Sequence, residues 1–495
     1  MYNKHTRFSR NLRRTQLGDE LLEAVASECP KLERFVALGC DNVSTAAWEK
    51  FGQESRFLRS LEIHGFYTAE AVFPPLESFT ALQSLTLICM SYPRDPSPIC
   101  HSSSLTSLTV SHITDAMLCT LTAASSSISS LQSLKLIHSD VSSSLLTLSS
   151  FTGLTTLSFQ SCDEITHTEL QYLSKSIHSL SGLAFVQCKH ITEDGVKAVV
   201  GSNPALRSLS LQLYPTASST RDKINAMLDC CQQLETLTLT SFHTCQRVLL
   251  TDLSCLQSLT LGSFEGKLEG LVRMLVRPEG WGRKKWLPKG WVAKPAVGRS
   301  IWQAKLSYAD RVKAKIGWDL DDPQSAELIH PPLKSLTLEK FSFCGRNTLA
   351  SMSAPCSDPA ARGALPVPET TRSSIDEALG GIQWQAAFKD LRSLTLDNSS
   401  ALGEGGLVAL LQACTVLKEL TICQNVDVSD TVIHSCPIAS LERLTLVQCE
   451  RVTTAGIDGA WESFPRLRCL RVEAGKVSRK TLQALLRLNV IVKRV

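Results

Sequence analysis

Leu154-Thr155-Thr156-Leu157-Ser158-Phe159-Gln160-Ser161-Cys162, continued by Ile165-Thr166-His167-Thr168-Glu169-Leu170-Gln171-Tyr172-Leu173-Ser174-Lys175-Ser176-Ile177, decides how this chain folds. In the first part Leu157 and Phe159 alternate with polar residues, which predicts a short strand with one buried face. In the second part Leu170, Leu173 and Ile177 fall at helical spacing, so a helix follows the strand. The opening pattern L-x-x-L-x-L recurs, its first apolar position at Leu32, Leu58, Leu82, Leu105, Leu131, Leu154, Leu180, Leu206, Leu234, Leu256, Leu333, Leu391, Leu417, Leu441 and Leu467. These fifteen copies lie 22 to 28 residues apart, most often 26, except at two long gaps.

One such unit cannot bury both its strand leucines and its helix stripe, whereas stacked neighbours enclose a continuous apolar slab. The expected fold is therefore α/β, a curved solenoid or horseshoe with a parallel inner sheet, outer helices and about fifteen repeats. At about 4.8 Å between strands, its inner arc measures roughly 70 Å, enough to hold a folded protein.

Cys40, Cys162, Cys188 and Cys449 each stand eight residues after a repeat leucine. They precede Asn42-Val43-Ser44, Ile165-Thr166, Ile191-Thr192-Glu193-Asp194-Gly195-Val196 and Val452-Thr453-Thr454-Ala455-Gly456-Ile457, and copies close with Cys29-Pro30-Lys31-Leu32, Asn203-Pro204-Ala205-Leu206 or Cys436-Pro437. This resembles the cysteine-containing class of leucine-rich repeat, as in the F-box and leucine-rich-repeat substrate receptors of cullin-RING ubiquitin ligases. The resemblance covers most of the chain outside two insertions. Physically, a small, readily buried thiol suits the corner between strand and helix. Ser44, Thr166, Thr192 and Thr453 are placed to cap the helices that follow, and no C-x-x-C pair or Cys/His cluster has metal-ligand spacing.

The resembling receptors carry an F-box, a helical adaptor-binding module, ahead of their repeats, and here no room is left for one. Leu17-Gly18-Asp19-Glu20-Leu21-Leu22-Glu23-Ala24-Val25 is followed at once by Cys29-Pro30-Lys31-Leu32 and reads as a repeat helix. On this reading the chain starts in mid-array without a capping repeat. Contact with a ubiquitin-ligase adaptor would then require an F-box in a longer form.

Apolar residues make up 43% and charged residues 20% of the 495, enough for a core and unlike a disordered chain. The net charge of +4 is too small to make the whole molecule a polyanion-binding surface. The basic opening MYNKHTRFSRNLRRTQ lacks the apolar stretch of a signal peptide, and regular patterning from about residue 17 leaves little room for a transit peptide. No later run reaches the roughly 18 apolar residues of a membrane span. Eighteen scattered cysteines without a secretory leader then favour reduced thiols in the cytoplasm or nucleus.

The long gaps mark insertions, dividing the chain into a basic arm (1–16), a first solenoid part (17–277), a basic Trp-rich insertion (278–330), a repeat strand (331–341), a second insertion rich in small residues and proline (342–388) and a C-terminal solenoid part (389–495). A helix is expected over Leu268–Leu275, just before the first insertion. From Arg273 to Lys315 twelve Lys and Arg face only Glu279 and Asp310, a net +10 that leaves the rest of the chain at −6. Trp281, Trp286, Trp291, Trp302 and Trp318 are interleaved with Arg283-Lys284-Lys285, Lys289, Lys294 and Arg299. Such a segment suits an acidic protein partner, RNA or an anionic membrane surface, or a solvated loop whose tryptophans pack on the solenoid flank.

Enzymatic chemistry is not indicated. Gly403-Glu404-Gly405-Gly406 lacks the lysine of a phosphate-binding loop and reads as a repeat turn, while Asp319-Leu320-Asp321-Asp322 reads as a solvated acidic run. No nucleophile elbow or metalloprotease motif occurs, and nothing calls for a cofactor. Function should therefore reside in the outward strand positions. The central one is Ser or Thr in ten of fifteen copies, an uncharged carpet that strand propensity and cross-strand laddering would explain. Charge returns with Glu62, Lys135, Glu419, Arg443, Arg471 and Glu473, so the candidate partner-binding residues are Trp281, Arg283, Lys284, Lys285, Trp286, Trp291, Glu419, Arg443, Arg471 and Glu473. The expectation is non-enzymatic protein recognition, as in the substrate-binding part of a ligase receptor. The alternative is a scaffold or nucleic-acid-associated protein using the basic insertion.

Overall fold

Each of the fifteen repeat leucines stands two residues before the first residue of a parallel strand. The computed structural model describes residues 17–66, 74–90, 97–212, 221–240, 250, 253–262, 265–266, 277–278, 328–329, 331–340, 342–343, 388–399, 403–435, 438–460, 464–473, 477–487 and 490–494. The chain divides into two units, Met1–Phe242 and His243–Val495. Both are leucine-rich-repeat solenoids, with a parallel sheet on one side and helical returns on the other.

In the first unit β1 (Arg34–Leu38), β2 (Ser60–Phe66), β3 (Ser84–Met90), β4 (Ser107–Ser111), β5 (Ser133–Ile137), β6 (Thr156–Gln160), β7 (Gly182–Val186), β8 (Ser208–Gln212) and β9 (Thr236–Thr240) pair in sequence order. The register places equivalent residues side by side, Leu157 beside Leu183 and Phe159 beside Phe185. All four are buried, and the two phenyl rings stack with centroids 5.5 Å apart. Near the start of this unit Phe35, Trp48, Phe51 and Phe79 form an aromatic cluster in the same slab.

The second unit repeats this with β10 (Ser258–Gly262), β14 (Ser335–Glu339), β16 (Ser393–Asp397), β17 (Glu419–Cys423), β18 (Arg443–Val447), β19 (Cys469–Val472) and β20 (Ile491–Arg494). Despite the long gaps around them, β14 and β16 keep register, with Leu261 beside Leu338 and Leu338 beside Leu396. Short β11 (Glu265–Gly266) pairs in parallel with β15 (Ser342–Phe343), and β12 (Arg277–Pro278) pairs antiparallel with β13 (Leu328–Ile329). The sequence pattern misses β20, because its equivalents of the three repeat leucines are Asn489, Val492 and Arg494.

Returns differ more than expected, since not every strand is followed by an α-helix. The 26-residue copies carry helices such as Thr45–Glu54, Asp115–Ala123, His167–Ser176 and Glu193–Gly201. The intervals from Leu58, Leu82 and Leu131 are two or three residues shorter and hold the 3-10 segments Leu76–Ser78, Ser97–His101 and Ser143–Ser150. A 3-10 turn rises about 2.0 Å per residue against 1.5 Å in an α-helix, so it spans the return with fewer residues. The segment Asp19–Glu28 is a repeat helix, packed beside Thr45–Glu54, and Gly403 opens the helix Gly403–Ala413. The expected helix over 268–275 lies outside the described residues.

All four expected caps form. The hydroxyls of Ser44, Thr192 and Thr453 accept from the N–H groups of Ala47, Gly195 and Gly456 at 3.2, 3.3 and 3.3 Å. Thr166 forms a capping box with Glu169. A second device links one helix start to the next. Asp19 accepts from the Ser44 N–H at 2.7 Å and Asp430 from that of Thr453 at 2.8 Å, while Asp115 takes hydrogen bonds from Ser142, Ser143 and Ser144.

Candidate functional site

The first, third and fifth residues of most strands lie on the outward face, although the fifth is buried in β4, β5 and β10 and the first, Gly182, is buried in β7. From β2 to β9 the third-residue column runs Glu62, Thr86, Thr109, Lys135, Ser158, Ala184, Ser210, Thr238, with Val36 before it on β1. A second column of hydroxyls, not recognised in the sequence, lies beside it: Ser60, Ser84, Ser107, Ser133 and Thr156, then Gly182, Ser208 and Thr236. Its signal was present in the residue preceding each second repeat leucine. The second unit continues both patterns, with Ser258, Ser335 and Ser393 beside Thr260, Thr337, Thr395, Thr421 and Thr445.

The expected laddering of these hydroxyls does not occur. Among the described residues the hydroxyls of Thr86, Thr109, Ser158, Ser210 and Thr238 make no hydrogen bond. Their Cβ atoms favour the strand, and their hydroxyls remain available to another molecule.

The four described charged candidates fall into three arrangements. Glu419 and Arg443 are register partners on β17 and β18 and form an ion pair. Their side chains are 39% and 62% exposed, so water screens the pair. Arg471 is exposed, with Thr445 beside it on β18 and Lys493 in register on β20. Glu473 accepts from the main-chain N–H of Gln448. Thus Glu419 and Arg443 are brought together, whereas Glu473 is held by a main-chain N–H and Arg471 makes no ion pair or hydrogen bond among the described residues. Trp281, Arg283, Lys284, Lys285, Trp286 and Trp291 lie outside the described residues, as does the acidic run at 319–322.

The turn leaving each strand is common to the two units. His112, His138, Ser161 and Gln187 have φ between 46° and 57°, and Asn398, Gln424 and Gln448 follow suit. This left-handed step costs a non-glycine residue roughly 1–2 kcal/mol. It also aims the residue's N–H at the next strand, as in His138 to Gln160 O at 2.8 Å and Ser161 to Val186 O at 2.8 Å. The following residue turns inward, and here the cysteines lie. Burial pushes the thiols of Cys40 and Cys162 up to about 12 and that of Cys188 to about 11, so they remain protonated donors rather than nucleophiles.

Among the described residues no three His, Cys, Asp or Glu group so as to hold a metal ion, and no helix is long and apolar enough to cross a membrane. The thirteen cysteines whose side chains are described are free thiols.

No family model matches the chain, and no curated protein matches it. Solved structures of similar architecture include the yeast Rad7 and Elc1 complex, at 12% identity and TM-score 0.40, covering 94% of this chain and 84% of that one. A leucine-rich-repeat protein of Leptospira interrogans matches at 15% identity and TM-score 0.29, covering 95% and 98%. An internalin of Listeria monocytogenes matches at 14% identity and TM-score 0.31, covering 86% and 93%.

Proposed function

We propose that this chain is a non-enzymatic protein-recognition module, similar in role to the substrate-binding part of a cullin-RING ubiquitin-ligase receptor. The observation that carries recognition is the open sheet face, whose rows of hydroxyls lack partners and are interrupted by a few charges. The ubiquitin part is supported by the resemblance of its cysteine-containing repeats to those of F-box receptors. Free thiols support residence in the cytoplasm or nucleus, where disulfides are rare.

The test is co-expression of the tagged full chain with a Skp-type adaptor and a cullin scaffold, followed by cross-linking and mass spectrometry with and without proteasome inhibition. Adaptor in the complex, together with a partner whose abundance rises on inhibition, is the expected result. Reproducible cross-linked partners without adaptor would remove the ubiquitin role and leave recognition standing.

A second reading, a scaffold or nucleic-acid-associated protein, is favoured by the net +10 and five tryptophans in and just before the 278–330 insertion. In it Trp281, Trp286 and Trp291 would be anchors and Arg283, Lys284 and Lys285 the cationic contacts.

A further inference from the structure

From β3 to β9 the outward positions carry a single charged side chain, Lys135. It has no ion-pair or hydrogen-bond partner among the described residues. Two strands further on, both hydroxyl columns break at once, at Gly182 and Ala184 on β7. Gly182 is the first residue of β7, and the backbone there does not require a glycine. Gly182 pairs in unbroken register with Thr156 and Ser208, and its φ is not positive. A Cβ there would stand 3.2 Å from Thr156 Cγ2 and 3.3 Å from its Oγ1, so the threonine would have to give by a few tenths of an ångström. An open hollow of about 350 Å³ lies here, lined in part by Gly182, Ala184, Thr156, Ser208 and Ser210. At its rim Arg207 is held by Glu235 at 2.5 Å.

A strand glycine is often found where a ligand or another backbone comes close. The charge beside it specifies the visitor. Arg207 is paired with Glu235, so Lys135 is the charged side chain at the outward positions of β5 to β8 that lacks an ion-pair partner, and a single carboxylate complements it. A nucleic acid is disfavoured, since its affinity grows with the number of phosphates neutralised.

We propose that the open face over β5–β8 docks a protein segment that sets an acidic side chain on Lys135 and a bulky side chain in the hollow over Gly182 and Ala184. This rests on the recognition reading and gives it a place and a partner chemistry. Two strand spacings separate the features by about 10 Å, so in an extended segment the two side chains lie within about four residues of each other.

The test is selection of a random peptide library, displayed on phage, against the full chain, with binding of the enriched peptides then measured on Lys135→Glu and Ala184→Gln variants. Both substitutions face outward, and melting temperatures within about 2 °C of the parent would show that each variant is folded. The expected result is peptides pairing Asp or Glu with a large side chain, binding at least tenfold more weakly to either variant. Changing the peptide's acid to Lys should restore binding to the Lys135→Glu protein. Peptides indifferent to both substitutions, or no enrichment at all, would overturn the docking site. So would a poly-uridine RNA probe that binds in a Lys135-dependent way. The adaptor and cross-linking experiment uses none of these residues, so it judges the recognition reading independently.

Discussion

The Cys162 thiol donates to the main-chain carbonyl oxygen of Leu136, one strand back and 3.5 Å away. Cys188 reaches Phe159 O at 3.7 Å and Cys449 reaches Ile422 O at 3.5 Å in the same way. Ser399 does so with its hydroxyl, to Leu338 O at 2.8 Å, and Asn425 with its amide, to Ser399 O. Ser139 occupies the same corner, accepting from the Ile113 N–H. In these copies the corner holds a small buried hydrogen-bonding group, thiol, hydroxyl or amide, whereas Ile113 fills it with an apolar side chain in the β4 copy. The column stitches consecutive repeats together on the side away from the hydroxyl carpet.

Thiol reactivity should follow this burial. With iodoacetamide at pH 8, exposed Cys119 and Cys255 should label within minutes. Cys40, Cys162 and Cys188, buried and with thiols pushed up to about 11 or 12, should label only at the rate of unfolding. Peptide mass mapping over time reads this directly. Rapid native labelling of Cys162 would show that the corner opens. Cys162→Ser should shift stability by less than about 1 kcal/mol, whereas Cys162→Ala, which removes the donor and leaves a small void, should cost about 1–2 kcal/mol.

Asp115 gives a pH signature. Burial would raise its carboxyl, but hydrogen bonds from Ser144, Ser142 and Ser143 outweigh that and hold it well below the usual carboxylate range. A folded value below the unfolded one contributes stability that is present above the unfolded value, about 3.9, and is lost as pH falls through the folded value. Asp115→Asn should therefore lower stability by about 1 kcal/mol at pH 7, the scale of a lost helix cap. The difference from the parent should shrink below about pH 4. Urea unfolding at pH 7, 5 and 3 checks this, and a gap that widened towards acid would contradict the sign.

The Glu419–Arg443 pair should matter little for folding. Both side chains are substantially exposed, and such pairs contribute about 0–1 kcal/mol. Glu419→Ala and Arg443→Ala should each move stability by less than about 1 kcal/mol, with the effect smaller still in 0.5 M salt. If these residues discriminate partners, as proposed from their position, the reversal Glu419→Arg with Arg443→Glu should restore stability but not binding to a partner found by cross-linking.

How far the sequence could be read depended on what each feature rests on. The positions of β1 to β10, β14 and β16 to β19 were legible because the L-x-x-L-x-L slots are filled by apolar residues whose burial leaves no alternative register. The caps at Ser44, Thr166, Thr192 and Thr453 were legible because a hydroxyl at a helix start has one cheap use. β20 was not, since its pairing with β19 comes from the stack rather than from leucines of its own. The 3-10 returns were hidden in intervals only two or three residues short. The hollow at Gly182 and Ala184 was missed because glycine in Ser181-Gly182-Leu183 reads as punctuation. Only the register, with Thr156 on one side and Ser208 on the other, shows it as a break in a surface.

The last prediction concerns residues 278–330. Arg277 and Ile329 are register partners, as are Pro278 and Leu328, so the segment leaves and returns through one short antiparallel pair. Ends held this close make its removal geometrically simple, and loop closure entropy depends only weakly on length. Repeat stacks gain stability from nearest neighbours, and β10 and β14 retain their own register. Replacing 279–327 by a short Gly/Ser linker should therefore leave the melting temperature within a few degrees of the parent while removing any contact made by Trp281, Trp286 and Trp291 with Arg283, Lys284 and Lys285. Changing those tryptophans to Ala, or those three cations to Glu, should give the same loss without the deletion. Salt separates the partners: a phosphate-rich ligand should fall steeply between about 50 and 200 mM, whereas a tryptophan-anchored protein contact should weaken far less. Unfolding of the linker variant would instead place the tryptophans in the core of the second unit and end the proposal that they bind a partner.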